Sequence, residues 1–231
     1  MLDFVKVRSS AKEPTKRNPE GTITIFPEFL VMRSDDLMIR GGAFYAVWDD
    51  SAGMWSRDEG TVCTLVDDML AEARAHYPDD VSIDVRYMRN FGSSKWSEFL
   101  KYCSSLPDNF HELDDSIIFS DHEIEKSDYA TKKLSYPLKA GNYDAWDEIV
   151  GTLYDPLERR KLEWAIGAII SGDSKWIQKF VVLYGEAGSG KSTVLNIIEM
   201  LFDGYSSTFE AKALGQSGNA FALEAFSENP L

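Results

Sequence analysis

The sequence predicts an α/β chain: a mixed α+β front region, a helical subdomain, and then the opening of a parallel-sheet core around a phosphate-binding loop. Three observations predict it. Short β-branched and aromatic runs broken by Gly occur early, apolar residues at helical spacing fill the middle, and "VVLYGEAGSGKSTVLNII" (Val181 to Ile198) comes late.

The chain has 231 residues, 44% hydrophobic and 13% aromatic, enough to bury one sizeable core or two smaller ones. Its two cysteines, Cys63 and Cys103, have no paired spacing, so a reducing, cytoplasmic setting fits better than a disulfide framework or zinc cage. No apolar run approaches the roughly 20 residues that span a bilayer, so no membrane partner is expected. "MLDFVKVRSS" is too short in its apolar part for a secretory signal. A net charge of −14 repels nucleic acid on average, so any such contact needs a local basic patch or a ring channel.

Residues 1–19 read as a flexible basic arm, because "VKVRSSAKEPTKRNP" mixes Lys, Arg, Ser and Pro without periodicity. Lys6, Arg8, Lys12, Lys16 and Arg17 could touch a phosphate backbone, although a solvated tail is the default. Residues 20–106 read as a mixed α+β domain. "GTITIF" and "LMIRGGAFYAVWDD" carry strand and hairpin signals. Behind an expected Thr61 N-cap, Val62, Leu65, Val66, Met69 and Leu70 fall on one helical face, and Trp96, Phe99, Leu100 and Cys103 repeat that spacing behind Ser93 or Ser94. Trp48, Trp55 and Trp96 could stack on nucleobases, but core packing is the default for aromatics so spaced.

Residues 107–172 read as an acidic segment with a strand-like run, Ile117 to Phe119, followed by the helical subdomain. Asp114, Asp115, Asp121, His122 and Glu123 are conceivable metal ligands, against a default of solvated surface. His76, His111 and His122 form no ligand spacing and carry no assignment. Asn142 caps a helix bearing Trp146, Ile149, Val150 and Leu153 on one face. Asp155-Pro156 opens another, with Leu162, Ala165, Ile166, Ile169 and Ile170 inward and a stop at Ser171 and Gly172. A polymerase centre would need an acidic pair on a strand, whereas Asp67-Asp68 falls on a helix and Asp79-Asp80 in a loop.

Residues 173–231 read as the incomplete beginning of a P-loop ATPase domain. Gly185-Glu186-Ala187-Gly188-Ser189-Gly190-Lys191-Ser192 matches G-x-x-x-x-G-K-[ST]. "KFVVLY" before it has the composition of a buried parallel strand, and "STVLNIIEMLF" after it puts Val194, Leu195, Ile198 and Leu201 on one helical face. Glycines let the backbone curl so that amides point at phosphate oxygens, and the following helix adds the positive end of its dipole. Lys191 is placed to meet the β- and γ-phosphates, Ser192 to offer a hydroxyl to Mg²⁺ and Thr193 to reach the α-phosphate side. Glu186 receives no specific role.

On this loop with its flanks, on "IIFSDHEIEKSDYATKKLSYPL", on "LEWAIGAIISGD" and on "NAFALEAFSENPL", the chain resembles phage and poxvirus-type primase-helicases of helicase superfamily 3, within the AAA+ ATPases. The resemblance covers about residues 108 to 231, and its specific part is the loop. It implies a homo-hexameric ring that hydrolyses ATP with Mg²⁺ at subunit interfaces and moves along single-stranded DNA in viral replication. A primase or polymerase partner and a bacterial host cytoplasm, for a phage, go with it. Only Gly185, Gly190, Lys191 and Ser192, with the loop between them, carry over. The family's second acidic motif is expected after "AFALEAF", where Pro230 and Leu231 would begin a strand, so the chain reads as the front of a longer protein with little ATP turnover of its own. Phe180, Val182 and the face of helix 192–202 are expected to lack most of their cover. A replication recruitment module without catalysis, or an unrelated P-loop enzyme such as a kinase or packaging motor, are the alternatives.

Overall fold

Alternating residues along the first strands decide which face of the front sheet is buried. A computed structural model describes residues 2–13, 21–89 and 93–208. The chain divides into two units, Met1–Glu112 and Leu113–Leu231.

In the first unit, β1 (Val5–Lys12) pairs antiparallel with β2 (Thr22–Phe29). A second hairpin joins β3 (Leu37–Arg40) to β4 (Ala43–Asp49), which also pairs with β5 (Met54–Ser56). Helix α1 (Glu59–Ala75) follows, β6 (Ile83–Val85) adds to β2 in parallel, and α2 (Ser93–Cys103) comes next. The two three-stranded sheets are ordered β1-β2-β6 and β3-β4-β5.

Val5–Lys12 is therefore strand and not part of a flexible arm. The register runs from Val5 opposite Phe29 to Lys12 opposite Thr22. Val5 and Val7 join the core while the intervening Lys6 and Arg8 point the other way. Two apolar residues give too weak an alternation to read from sequence, and the ladder to β2 supplies the rest. Lys16 and Arg17 lie outside the described residues.

The α1 stripe is as expected: Val62, Val66 and Leu70 are fully buried, with Leu65 and Met69 packed against the same cluster. The cap differs. Asp58 accepts from the Gly60 amide at 2.8 Å, whereas the Thr61 hydroxyl bonds Ser56 Oγ at 2.7 Å. The helix thus starts one turn's edge earlier, where a carboxylate meets the dipole. Trp48, Trp55 and Trp96 are all buried, as core packing predicts.

Among the described residues of the second unit, α3 (Asp144–Leu153), α4 (Pro156–Ile170), the short α5 (Ser174–Ile177) and α6 (Lys191–Leu201) are the α-helices. Asn142 Oδ1 accepts from the Asp144 amide at 2.7 Å, just ahead of the first turn of α3. Asp155 caps α4, accepting from the Leu157 and Glu158 amides at 2.8 and 3.1 Å. Asp155→Ala should lower the stability of this unit by about 1 kcal/mol, read as a shift of the urea midpoint at unchanged slope.

Val150, Leu162 and Val194 join α3, α4 and α6 in one buried cluster. Leu134, Phe202 and Tyr205 centre a second, lined by Ile117, Phe119, Tyr136 and the end of α4. Ile117 to Phe119 is not a strand. Its backbone makes scattered bonds instead: Leu134 N to Ile118 O at 2.8 Å, Ser120 N to Tyr136 O at 3.0 Å, and Ile118 N to the Tyr205 hydroxyl at 3.1 Å. The Tyr205 hydroxyl in turn donates to Lys132 O at 2.9 Å. A side chain takes the place of a neighbouring strand.

"KFVVLY" is not in a strand either. Phe180, Val182 and Tyr184 are 87%, 69% and 98% exposed, and no ladder partner for them occurs among the described residues. A buried parallel strand requires neighbours on both edges and cover on both faces. The described elements provide no edge neighbour, and only the Val181 and Leu183 side borders α4 and α6. No described helix is long and apolar enough to cross a membrane.

Candidate functional site: the Gly185–Thr193 loop

The loop is held between the exposed run 179–184 and the first turn of α6. Gly188 and Gly190 have φ of +79° and +76°, the left-handed region that glycine enters without strain. Gly190 is the N-cap of α6, and its carbonyl accepts from the Val194 amide at 3.1 Å. That start is fixed from beneath. Val194 is fully buried in the helical cluster, and a Cβ on Gly190 would lie 2.6 Å from Leu153 Cδ1 at the end of α3.

Lys191 gathers the loop around its ammonium. Nζ donates to Gly185 O at 2.9 Å, Glu186 O at 2.7 Å and Ser189 Oγ at 3.0 Å. A Cβ at Gly185 would stand 3.0 Å from Ser189 Oγ and 3.9 Å from Lys191 Nζ, so a side chain there would crowd the same spot. The Ser189 amide closes the turn on Glu186 O at 3.3 Å. Glu186, Ala187, Gly188 and Ser189 are exposed, as are Ser192 and Thr193 on the first turn of α6. The predicted residues are therefore brought together on one solvent-facing curl.

Such a curl can bind an anion. Three neutral oxygens satisfy the ammonium's donors without neutralising its charge, so a phosphate oxygen can exchange for one of them and gain a charge-assisted bond. Ser192, exposed on the turn that carries Lys191, fits a Mg²⁺ ion held mostly by phosphate and water oxygens, since that ion takes few protein ligands.

The acidic candidates do not gather. Asp114 is buried with φ +59°, and its carboxylate accepts from the Thr131 amide and hydroxyl, both at 2.6 Å. His122 Nε2 meets Asp128 Oδ2 at 2.8 Å. The Glu125 amide and His122 hold the Asp128 carboxyl below the usual range. Asp121 Oδ1 accepts from the Leu138 amide at 3.4 Å. Among the described residues no group of three or more His, Cys, Asp or Glu side chains could hold a metal ion. Asp67 accepts from the Met88 amide at 2.6 Å and faces Arg89, a structural role.

The sequence did not single out Leu153 as the floor under Gly190, because that contact exists only once α3 and α6 pack. "AFALEAF", Pro230 and Leu231 lie outside the described residues. Comparison of the chain with protein-family models, curated proteins and solved structures found no match.

Proposed function

We propose that Gly185–Thr193 binds the polyphosphate of ATP with Mg²⁺, and that the chain is the front part of a viral or phage replicative DNA helicase. The convergence of three loop oxygens on the Lys191 ammonium, at the start of a helix and beside two left-handed glycines, is the observation that supports it. In this reading Lys191 pairs with the β- and γ-phosphates, and the loop amides with the N-terminus of α6 take up the remaining phosphate charge. Ser192 offers its hydroxyl to Mg²⁺, and Thr193 faces the α-phosphate side. Hydrolysis, ring assembly and translocation on single-stranded DNA are assigned to the longer protein, with a primase or polymerase as its companion.

Calorimetric titration of the chain with MgATP tests the loop. Saturable binding is expected, with Lys191→Ala weakening it at least about tenfold, since a charge-assisted contact contributes about 1.5–3 kcal/mol. Equal affinity in the two proteins would remove the loop from the binding site, and steady turnover abolished by Lys191→Ala would overturn the assignment of hydrolysis to the longer protein.

A further inference from the structure

The strand register places an unusual set of side chains on the face of the β1-β2-β6 sheet that turns away from the core. Lys6, Arg8, Ser10 and Lys12 of β1 stand opposite Glu28, Phe26, Thr24 and Thr22 of β2, and Thr24 is in turn opposite Asp84 of β6. The other face carries Val5, Val7, Ile23, Ile25, Phe29, Ile83 and Val85, all in the core cluster. With Arg86, two residues beyond Asp84, the outer face holds four cations against two carboxylates. The whole chain carries 24 against 38. The described cations of the N-terminal stretch, Lys6, Arg8 and Lys12, thus share one side of the ladder.

A cavity of about 600 Å³ opens beside this face, within the size range of ligand sites. Lys12, Thr24, Phe26, Arg86, Lys95 and Tyr102 line it, the last two from α2. Thr24 is 8% exposed, and its hydroxyl is buried at that wall without a hydrogen-bond partner. Most buried hydroxyls have one; the Tyr154 hydroxyl is another exception among the described residues. A polar group arriving at Thr24 therefore gains what the protein leaves open. The cations are held by exchangeable surface pairs: Arg8 with Glu28 at 2.6 Å, Arg86 with Asp84 at 2.8 Å, Lys95 with Glu98 at 3.4 Å. Such pairs contribute little, so a phosphate can displace a carboxylate at small cost.

We propose that this face binds single-stranded nucleic acid. Phe26, in the middle of the face and beside Arg8, and Tyr102, 57% exposed at the cavity rim, present rings on which unpaired bases stack. Lys12, Arg86 and Lys95 meet the backbone phosphates. A duplex keeps its bases stacked on each other and leaves these rings unused. The site gives the single-stranded DNA of the proposed function a place in the first unit, yet it fails independently of the loop, which lies in the second.

Fluorescence anisotropy of a labelled oligothymidylate of about 12 nucleotides, titrated with the full chain at about 50 mM salt, is the test. Saturable binding is expected. Lys12→Glu combined with Lys95→Glu should weaken it at least about tenfold and reduce the salt slope by about 1.4, or 0.7 per lost phosphate contact. Phe26→Leu should weaken it at least about fivefold, at a thermal midpoint near that of the parent. Lys191→Ala should leave it unchanged, and the double charge reversal should leave MgATP binding unchanged. Absence of binding, indifference to the charge reversal, equal binding of a duplex of the same length, or displacement of the oligonucleotide by equimolar thymidine monophosphate would each overturn the proposal.

Discussion

Trp96→Ala is expected to destabilise the first unit by about 3–5 kcal/mol, the range for removing a large buried aromatic. Trp96 is 5% exposed and sits among four rings: Phe99 at 5.4 Å, Phe29 at 5.6 Å, and Phe4 and Phe44 at 6.2 Å between centroids. Its indole N–H also donates to Glu59 Oε1 in the first turn of α1, so the residue ties α2 to α1 as well as to both sheets. Loss of the ring leaves a cavity bordered by α1, α2, β2, β4 and the residue ahead of β1, and none of them can fill it by moving alone. A domain has only about 5–15 kcal/mol in total, so the variant should lose a large fraction of the unit's stability. Guanidinium titration followed by far-UV circular dichroism measures it, with Trp176→Ala as the control. Trp176 is 87% exposed, and its loss should change stability by no more than about 0.5 kcal/mol. Similar losses for the two tryptophans would show that the cluster does not hold the unit together.

Gly42→Ala is expected to cost about 2–4 kcal/mol. Gly41 and Gly42 form the β3-β4 turn with φ of +58° and +76°, the two positive values that match the twist of a tight hairpin. A left-handed alanine costs about 1–2 kcal/mol wherever it occurs. At Gly42 a Cβ would also lie 2.8 Å from Ser104 Cβ, 3.0 Å from Leu100 O and 3.2 Å from Ser104 Cα, at the end of α2. Backbone atoms cannot swing aside as a side-chain tip can, so the turn or the helix must shift, at about 1–2 kcal/mol more. Gly41 has nothing within 4 Å of its Cβ position, so Gly41→Ala should show the backbone contribution alone. Equal effects at 41 and 42 would mean that the hairpin does not rest on α2.

What could be read from the sequence followed how local its cause was. Helices α1, α2, α3, α4 and α6 were legible because each carries its own stripe, and α4 also its cap and stop. The β3-β4 hairpin was legible from its two glycines. The loop was legible because its chemistry is written in consecutive residues. Elements that depend on a distant partner were not. Val5–Lys12 is a strand because Thr22–Phe29 lies beside it. Ile117 to Phe119 has strand composition, but Tyr205, far along the chain, takes up the Ile118 amide. The basic face needed the register before its cations could be seen to share a side, and the sheet expected around "KFVVLY" depends on strands that its own composition cannot supply.

The run 179–184 has a practical consequence for anyone handling the purified chain. Six residues of β-branched and aromatic character, without Pro or Gly and with one charge, are the kind of segment that zips to copies of itself. With Phe180, Val182 and Tyr184 facing water, storage life should shorten steeply as protein concentration rises. A lysine placed at Val182 acts as a gatekeeper against fibril growth.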